Sequence, residues 1–275
     1  MPANGIFRGR SSALSGFADI DGCKIHYRLE GIEGAPVVML CHGLLGSLGM
    51  WRPQVAALAA RYRILRFDNR GHGASSATPP PYTVAQLAGD AVGLLDALGI
   101  ASAHFVGCSL GGMIGQAMGA NHPRRLRSLV LVGSRSIMPP ASMWDERIRI
   151  ARTDGLAPLV PTMLERWFTP AFRAAHPEAV QPIVEGILGT QVEGFVGACM
   201  AIRDMDHRRL LPLIAVPTLV TSARDDPGVP ASDTYFIQAS IPGAEMMLVE
   251  EARHLFTIER VSLFETMLLD WLAHH

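Results

Sequence analysis

The chain has 275 residues, which suits one large domain or a core domain with an inserted subdomain. Hydrophobic residues make up 49% of it and charged residues 18%, so it can bury a sizeable core and global disorder is not expected. The formal net charge of −1 gives no electrostatic reason to expect a nucleic acid or an anionic membrane as a partner. We also expect no membrane span, because no apolar run reaches the roughly eighteen residues that one needs.

The amino-terminal residues 1–15 are basic but contain no apolar stretch of the kind that a signal peptide has. We therefore predict a loose tail there. The four cysteines have neither CxxC pairing nor metal-ligand spacing, and they are Cys23, Cys41, Cys108 and Cys199. The sequence thus indicates reduced thiols in a cytoplasmic protein without a structural metal.

Short apolar runs alternate along the chain with longer segments of helical periodicity. The predicted strands are residues 24–29, 36–41, 63–67, 103–108, 127–132, 218–221 and 246–249. The predicted helices of the same region are residues 52–60, 83–98, 110–121, 231–240 and 255–273. Several strands are apolar without interruption, which is typical of a parallel sheet covered on both faces. We predict an α/β fold with a mostly parallel central sheet flanked by helices, and the Asp21-Gly22 turn predicts an antiparallel hairpin at one edge.

The alternation stops between residues 135 and 211, where we find helical patterns near 142–153, 156–168 and 178–205 but no convincing strand. We predict that 135–211 is a helical cap inserted into a core made of 16–134 and 212–275. The cap has nine acidic and nine basic residues, so any recognition of charge must come from individual side chains.

The strongest chemical signal is the segment GCSLG at 107–111, which fits G-x-S-x-G. It follows a predicted strand and opens a predicted helix, which is the context that this motif requires. The turn is so tight that the serine has a strained backbone and the flanking glycines avoid clashes. Ser109 is therefore the predicted nucleophile, placed at the carboxyl edge of the sheet.

A serine nucleophile needs a base, normally a histidine held by a carboxylate, in the chain order Ser, Asp/Glu, His. His254 follows the last predicted strand and precedes the final helix, so it lies at the same edge of the sheet as Ser109. The carboxylate is expected in the loop after strand 218–221, where Asp225 and Asp226 are both candidates.

Acyl transfer also needs donors for the oxyanion that develops on the substrate. We predict the backbone N–H of Leu110, directly after the nucleophile, and that of Leu44, in the loop HGLLGS at 42–47. His42 is expected to hold this loop by side-chain hydrogen bonds. The segment DNRGHG at 68–73 is interpreted as a structural glycine turn and not as a metal or acid–base cluster.

Taken together, HGLLGS, DNRGHGAS, GCSLGG, PTLVTSARDDPGVP and ARHLFTIE resemble the α/β-hydrolase superfamily in their order and spacing, over nearly the whole chain from about Gly16. The resemblance implies that Asp226 is the carboxylate of the triad, because the family places it four residues before a proline, here Pro230. The family usually has glycine where this sequence has Ala223.

Within that superfamily the sequence resembles 3-oxoadipate enol-lactonases, on the segments 143–148, 164–169 and 200–206 of the predicted cap. This resemblance implies a serine-dependent hydrolysis of a small acidic lactone in aromatic catabolism, without metal or organic cofactor. The alternatives are a broad-range carboxylesterase, a hydrolase of C–C bonds in ring-fission products and an enzyme with perhydrolase side activity. A ligand receptor with this fold is a further alternative, against which the intact triad argues.

An acidic substrate needs a cation or a strong donor near Ser109, because burying an unpaired carboxylate is costly. The core motifs contain none, so the candidates come from the cap region. They are Arg135 at the junction, Arg147 and Arg166 in the resembling segments, and Trp144 as an apolar wall with an indole donor. Pairing of the arginines with nearby acids, and burial of Trp144 in the cap core, are the alternatives.

Overall fold

The computed structural model describes residues 10–138 and 140–275. Its eight strands are β1 Ser11–Ile20, β2 Cys23–Ile32, β3 Val37–Cys41, β4 Arg63–Phe67, β5 Ala103–Cys108, β6 Leu126–Val132, β7 Thr218–Ala223 and β8 Glu245–Val249. Its α-helices are α1 Val55–Ala59, α2 Val84–Ala97, α3 Leu110–Asn121, α4 Ala141–Asp154, α5 Val160–Trp167, α6 Pro170–Ala175, α7 Pro177–Gly189, α8 Val192–Asp204, α9 Ala231–Ser240, α10 Phe256–Glu259 and α11 Val261–His274.

One sheet contains all eight strands, in the order β1-β2-β4-β3-β5-β6-β7-β8. Strand β2 pairs antiparallel with both β1 and β4, and the remaining pairs are parallel. The central strands β3, β5 and β6 are almost completely buried, as uninterrupted apolar runs predict. The predicted α/β fold is therefore confirmed, including the antiparallel hairpin at one edge.

The order of the strands fixes where a site can form. From β3 the chain passes to β4 on one side and then to β5 on the other side, so the direction of winding reverses at β3 and β5. In open α/β sheets a crevice opens at the carboxyl ends of the strands at such a point. The loops that follow β3 and β5 begin at His42 and Ser109, so both face this crevice.

The prediction of a loose tail through residue 15 was wrong for residues 11–15, which belong to β1. This strand pairs with β2 along its whole length, from Ser11 with Ile32 to Ile20 with Cys23. It is a mostly exposed edge strand, and its serines and alanines hide the two-residue alternation that reveals other strands. The tail prediction for residues 1–9 lies outside the described residues.

Five α-helices, α4 to α8, lie between β6 and β7 and add no strand to the sheet, so the predicted helical insertion is confirmed. The helical pattern over 178–205 corresponds to two helices, α7 and α8, with a bend of 95° between them. Within the described ranges no single helix is long and apolar enough to cross a membrane, whereas this bent pair passes the same test by length and composition only.

Candidate active site

Ser109 lies at the turn between β5 and α3 and has φ 56° and ψ −112°, a left-handed backbone conformation that costs a non-glycine residue energy. The surrounding structure enforces it: the Ser109 N–H donates to the carbonyl oxygen of Val132 on β6 at 2.8 Å. The strained geometry expected from the motif is therefore present, and it directs the serine side chain away from the sheet at the start of α3.

The two glycines of the motif are required by close contacts. A Cβ added to Gly107 would lie 2.1 Å from the Gly111 carbonyl oxygen, and one added to Gly111 would lie 2.3 Å from the Cys41 carbonyl oxygen. Because heavy atoms cannot approach that closely, larger residues would push α3 away from β3 and β5. The glycines thus bring the serine and the loop after β3 together.

His254 and Asp226 lie on the loops after β8 and β7, and the structure brings them into contact. The His254 Nδ1 is 2.6 Å from the Asp226 Oδ2. The other carboxylate oxygen of Asp226 accepts hydrogen bonds from the N–H groups of Gly228 at 2.7 Å and Val229 at 3.1 Å. Asp226 is buried, so these bonds fix its orientation and, through it, that of the imidazole.

Asp225, the neighbouring candidate, is exposed and has no contact with His254 in the structure. It lines a shallow depression together with Glu251 and Glu259, on the outside of the loop. The geometry therefore favours Asp226 as the partner of the histidine.

The loop after β3 lies against Ser109: a Cβ added to Gly43 would be 3.1 Å from the serine Cβ. His42 holds this loop from inside. Its Nε2 accepts from the Asn69 N–H at 2.9 Å, so the proton is on Nδ1, which donates to the Gly43 carbonyl oxygen at 2.7 Å. Complete burial lowers the pKa of His42, which keeps the ring neutral in this role.

This arrangement determines the direction of the Leu44 N–H. The Gly43 carbonyl oxygen also accepts from the Gly46 N–H at 3.1 Å, so the oxygen points into the loop. In a trans peptide the N–H of the next residue points the opposite way, which frees the Leu44 N–H for a ligand. Neither this N–H nor that of Leu110 donates to another residue within 10–138 and 140–275.

A cavity of about 200 Å³ opens directly over these groups. Ser109, His254, Asp226 and Leu44 all line it. Most of the remaining wall is apolar and comes from residues of the insertion and the loops, including Met113, Met138, Trp144, Met163, Trp167 and Ile183. The volume and the apolar wall suit a small organic molecule.

The predicted cap residues Arg135, Arg147, Arg166 and Trp144 line the same cavity, as does Arg52, which the sequence did not single out. Arg135 is already compensated, because its Nε lies 2.9 Å from the Asp233 Oδ2. The N–H does not point at that oxygen, so the pairing is a charge contact and not a hydrogen bond.

Arg147 and Arg166 differ from Arg135. In the described part of the chain neither has a carboxylate within salt-bridge distance. The Arg147 guanidinium lies 4.6 Å from the centroid of the Trp144 ring, and burial together with the nearby Arg166 lowers the pKa of Arg147. Arg166 reaches over the Asp226 loop, since its Nη2 is 3.1 Å from the position of a Cβ on Gly228.

Trp144 is buried, and its indole Nε1 has no hydrogen-bond partner among the described residues. Among the described residues, the cavity wall therefore contains two half-buried cations without a carboxylate partner, Arg147 and Arg166, in addition to the exposed Arg52 and the unsatisfied indole N–H of Trp144. Such groups favour a ligand that carries negative charge and accepts hydrogen bonds.

A second alignment of serine, histidine and aspartate lies on the β1–β2 hairpin, and sequence spacing did not reveal it. The Ser15 Oγ is 3.3 Å from the His26 Nε2, and the His26 Nδ1 is 2.8 Å from the Asp68 Oδ2. Ser15 is an exposed residue in the middle of a strand, without the strained turn and helix start that Ser109 has. Asp68 also accepts from backbone N–H groups of Leu48 and Ala74, in keeping with the structural role predicted for its loop.

Residues 36–175 match the family model for the α/β-hydrolase fold, and the chain belongs to that family. Among curated proteins it is similar to 3-oxoadipate enol-lactonase 2 of Acinetobacter baylyi, with 32% identity over 87% of this chain and 90% of that protein. It is also similar to a putative carbamate hydrolase, RutD, of Caulobacter segnis, with 35% identity over 92% of this chain and 97% of that protein.

Among solved structures, the enol-lactonase from Burkholderia xenovorans LB400 superposes with a TM-score of 0.92 at 36% identity, covering 94% of this chain and all of that chain. A hydrolase from Pseudomonas aeruginosa superposes with a TM-score of 0.91 at 37% identity, covering 94% and 98%. The predicted resemblance to enol-lactonases is confirmed, and the protein is a hydrolase of this family.

His72, in the buried loop under the site, gives a prediction about stability. Burial and the neighbouring His42 lower the pKa of His72 to about 3. Because an unfolded histidine has a pKa near about 6.5, the folded state resists a proton that the unfolded state takes up. Stability should be full above pH 6.5 and fall as the pH drops towards 3, with His72 contributing up to about 1.4 kcal/mol per pH unit.

Urea unfolding at several pH values between 7 and 4 measures this slope. His72→Gln should be less stable at pH 7 but lose less stability on acidification. The stability of this variant should still depend on pH, because burial also lowers the pKa of His104 to about 4. An unchanged slope in the variant would show that His72 does not contribute.

Proposed function

We propose that the protein hydrolyses a small carboxylate-bearing ester or lactone through an acyl-enzyme on Ser109, and that the substrate is 3-oxoadipate enol-lactone, which gives 3-oxoadipate. The observation that carries this proposal is the pair Arg147 and Arg166, which line the cavity over Ser109 and have no carboxylate partner in the part of the chain that the structure describes. Moving a guanidinium out of water is costly, and a bound substrate carboxylate offsets that cost with charge-assisted hydrogen bonds.

In the proposed mechanism, Ser109 attacks the lactone carbonyl while His254 takes the hydroxyl proton, and Asp226 holds the imidazole in the tautomer that accepts it. The N–H groups of Leu44 and Leu110 stabilise the oxyanion, an interaction typically worth about 3 kcal/mol per donor. The ester oxygen leaves as an enolate that takes the proton from His254, and the resulting enol ketonises. Neutral His254 then takes a proton from water, which attacks the acyl-enzyme, and it passes that proton to the Ser109 oxygen as the dicarboxylate is released.

We propose further that residues 135–211 act as the cap, over a core made of 16–134 and 212–275. The proposed division follows the positions of the charged groups: the serine, aspartate and histidine follow strands of the sheet, whereas Arg147 and Arg166 lie on α4 and α5. The core would supply the chemistry of acyl transfer and the cap the recognition of the substrate carboxylate.

The similarity to proteins named enol-lactonases supports this substrate. Because the chain is also similar to proteins named putative carbamate hydrolases, hydrolysis of a carbamate must be tested as well. Purified protein should be assayed on the enol-lactone, a neutral aryl ester, a carbamate and a dienone acid from ring fission. A higher kcat/KM for the lactone than for the others supports the proposal. A preference for the neutral ester indicates a broad-range carboxylesterase.

Replacing the nucleophile tests the mechanism. Ser109→Ala should lower kcat by roughly a million-fold, because the members of a triad act as a unit. A fluorophosphonate should label the unmodified protein, and peptide mass mapping should place the label on Ser109 and not on Ser15. Retention of more than a few per cent of the activity in Ser109→Ala would contradict the assignment.

The two adjacent aspartates give an internal comparison. Asp226→Asn should lower kcat by roughly ten-thousand-fold, because the amide stabilises the wrong tautomer of His254. Asp225→Asn removes the same charge one residue earlier, from an exposed side chain, and should have a far smaller effect. Steady-state kinetics on any accepted substrate measure the difference, and a reversed order would refute the choice of Asp226.

The arginines test the substrate class. Arg147→Met and Arg166→Met should each lower kcat/KM for the acidic lactone by roughly ten- to a hundredfold, the scale of a hydrogen bond to a charged group, and spare the neutral aryl ester. Arg149→Met is the matched control, since Arg149 lies on the same helix as Arg147 but pairs with Glu146 at the surface. Equal losses on both substrates would argue against a carboxylate-binding role.

A further inference from the structure

Glu259 connects two segments that lie far apart in sequence and that each contribute neighbouring residues to the cavity wall. It is the last residue of α10, and its carboxylate is held between Thr169 and Arg253. One carboxylate oxygen accepts from the Thr169 N–H at 2.7 Å and from the Thr169 hydroxyl at 2.6 Å. The other accepts from the Arg253 N–H at 2.7 Å. The side chain therefore ties the start of α6 to the residue just before His254.

Two further hydrogen bonds join the same segments. The Leu255 N–H donates to the Trp167 carbonyl oxygen at 3.0 Å, and the Arg253 guanidinium donates to the Glu165 carbonyl oxygen. The residues on both sides of His254 are thus bonded to carbonyl oxygens in the last turn of α5, those of Glu165 and Trp167. Arg166 and Trp167, which line the cavity, belong to that same stretch.

We propose that Glu259 is a positioning residue, which fixes the His254 loop against the segment that carries Arg166. It does not line the cavity, so it acts through the groups that it holds. The inference rests on the proposed role of His254, and it extends the proposed function by linking the base to the site that binds the substrate carboxylate.

A carboxylate is needed at this position because all three of its partners donate. Glutamine has one oxygen and one NH₂ group. If the amide oxygen faces Thr169, the NH₂ group faces the Arg253 N–H. If the amide is flipped, the NH₂ group faces the Thr169 N–H instead. In either orientation one backbone N–H loses its acceptor, so glutamine keeps one of the two ties and alanine keeps neither.

The test uses the full chain, with Glu259→Gln and Glu259→Ala compared with Glu251→Gln. Glu251 is an exposed carboxylate near the same loop and pairs only with Arg260 in the described structure, so its substitution removes the same charge without touching either tie. The rate of fluorophosphonate reaction at Ser109, and kcat and KM for a neutral aryl ester, report on His254. The ratio of kcat/KM for lactone and ester reports on Arg166.

Glu259→Ala should lower the fluorophosphonate rate and the kcat for the ester by roughly ten- to a hundredfold, the scale of hydrogen bonds to a charged group, with a smaller change in KM. The lactone should lose more than the ester, and Glu259→Gln should lie between alanine and the unmodified protein. Glu251→Gln should match the unmodified protein.

Rates within twofold of the unmodified protein in a folded Glu259 variant, even with a lowered melting temperature, would overturn the proposal and leave only a structural role. If Glu259→Ala does not fold, Glu259→Gln decides the question by the same rates. Failure of the unmodified protein to hydrolyse the lactone would refute the proposed substrate, whereas the ester and fluorophosphonate measurements would still test Glu259.

Discussion

The strained backbone of Ser109 is the constraint on which the rest of the site depends. A left-handed conformation at a serine costs of order 1–3 kcal/mol and persists only where the surroundings enforce it. Here β6 binds its N–H, and Gly107 and Gly111 allow α3 to approach β5 and β3 more closely than a side chain permits. The same approach brings the loop after β3 against the serine, so one packing requirement places both the proposed nucleophile and the proposed oxyanion donors.

Buried histidines serve two opposite purposes around that turn. His42 and His72 are enclosed, and burial lowers the pKa of both, so they act as neutral hydrogen-bonding groups that hold loops. His254 instead lines the cavity and contacts the buried carboxylate of Asp226, the arrangement that its proposed role as base requires. The difference lies in the partners, because the first two rings face carbonyl oxygens and backbone amides.

Much of the fold was predictable because strong local patterns coincided with the tertiary structure. Strand β5 and helix α3 have the predicted bounds, since an apolar run, a glycine turn and a helical repeat follow one another. Strand β1 was missed, because an exposed edge strand needs little apolar patterning. Contacts between residues far apart in sequence could not be predicted either, because they depend on the order of the strands and not on sequence spacing. Examples are the contact of Arg135 with Asp233 and the alignment of Ser15 with His26 and Asp68.

The arrangement of charge explains how one scaffold can combine fixed chemistry with variable recognition. The groups proposed for acyl transfer follow strands of the sheet, where strand pairing and buried packing hold them. Arg147 and Arg166, without a carboxylate partner among the described residues, lie on helices of the insertion, outside the sheet. This separation has a cost, because a base and a substrate-binding cation on separate segments lose alignment if the segments shift independently. A carboxylate that accepts from both segments, as Glu259 does, limits that independence together with the bonds of Leu255 to Trp167 and of Arg253 to Glu165.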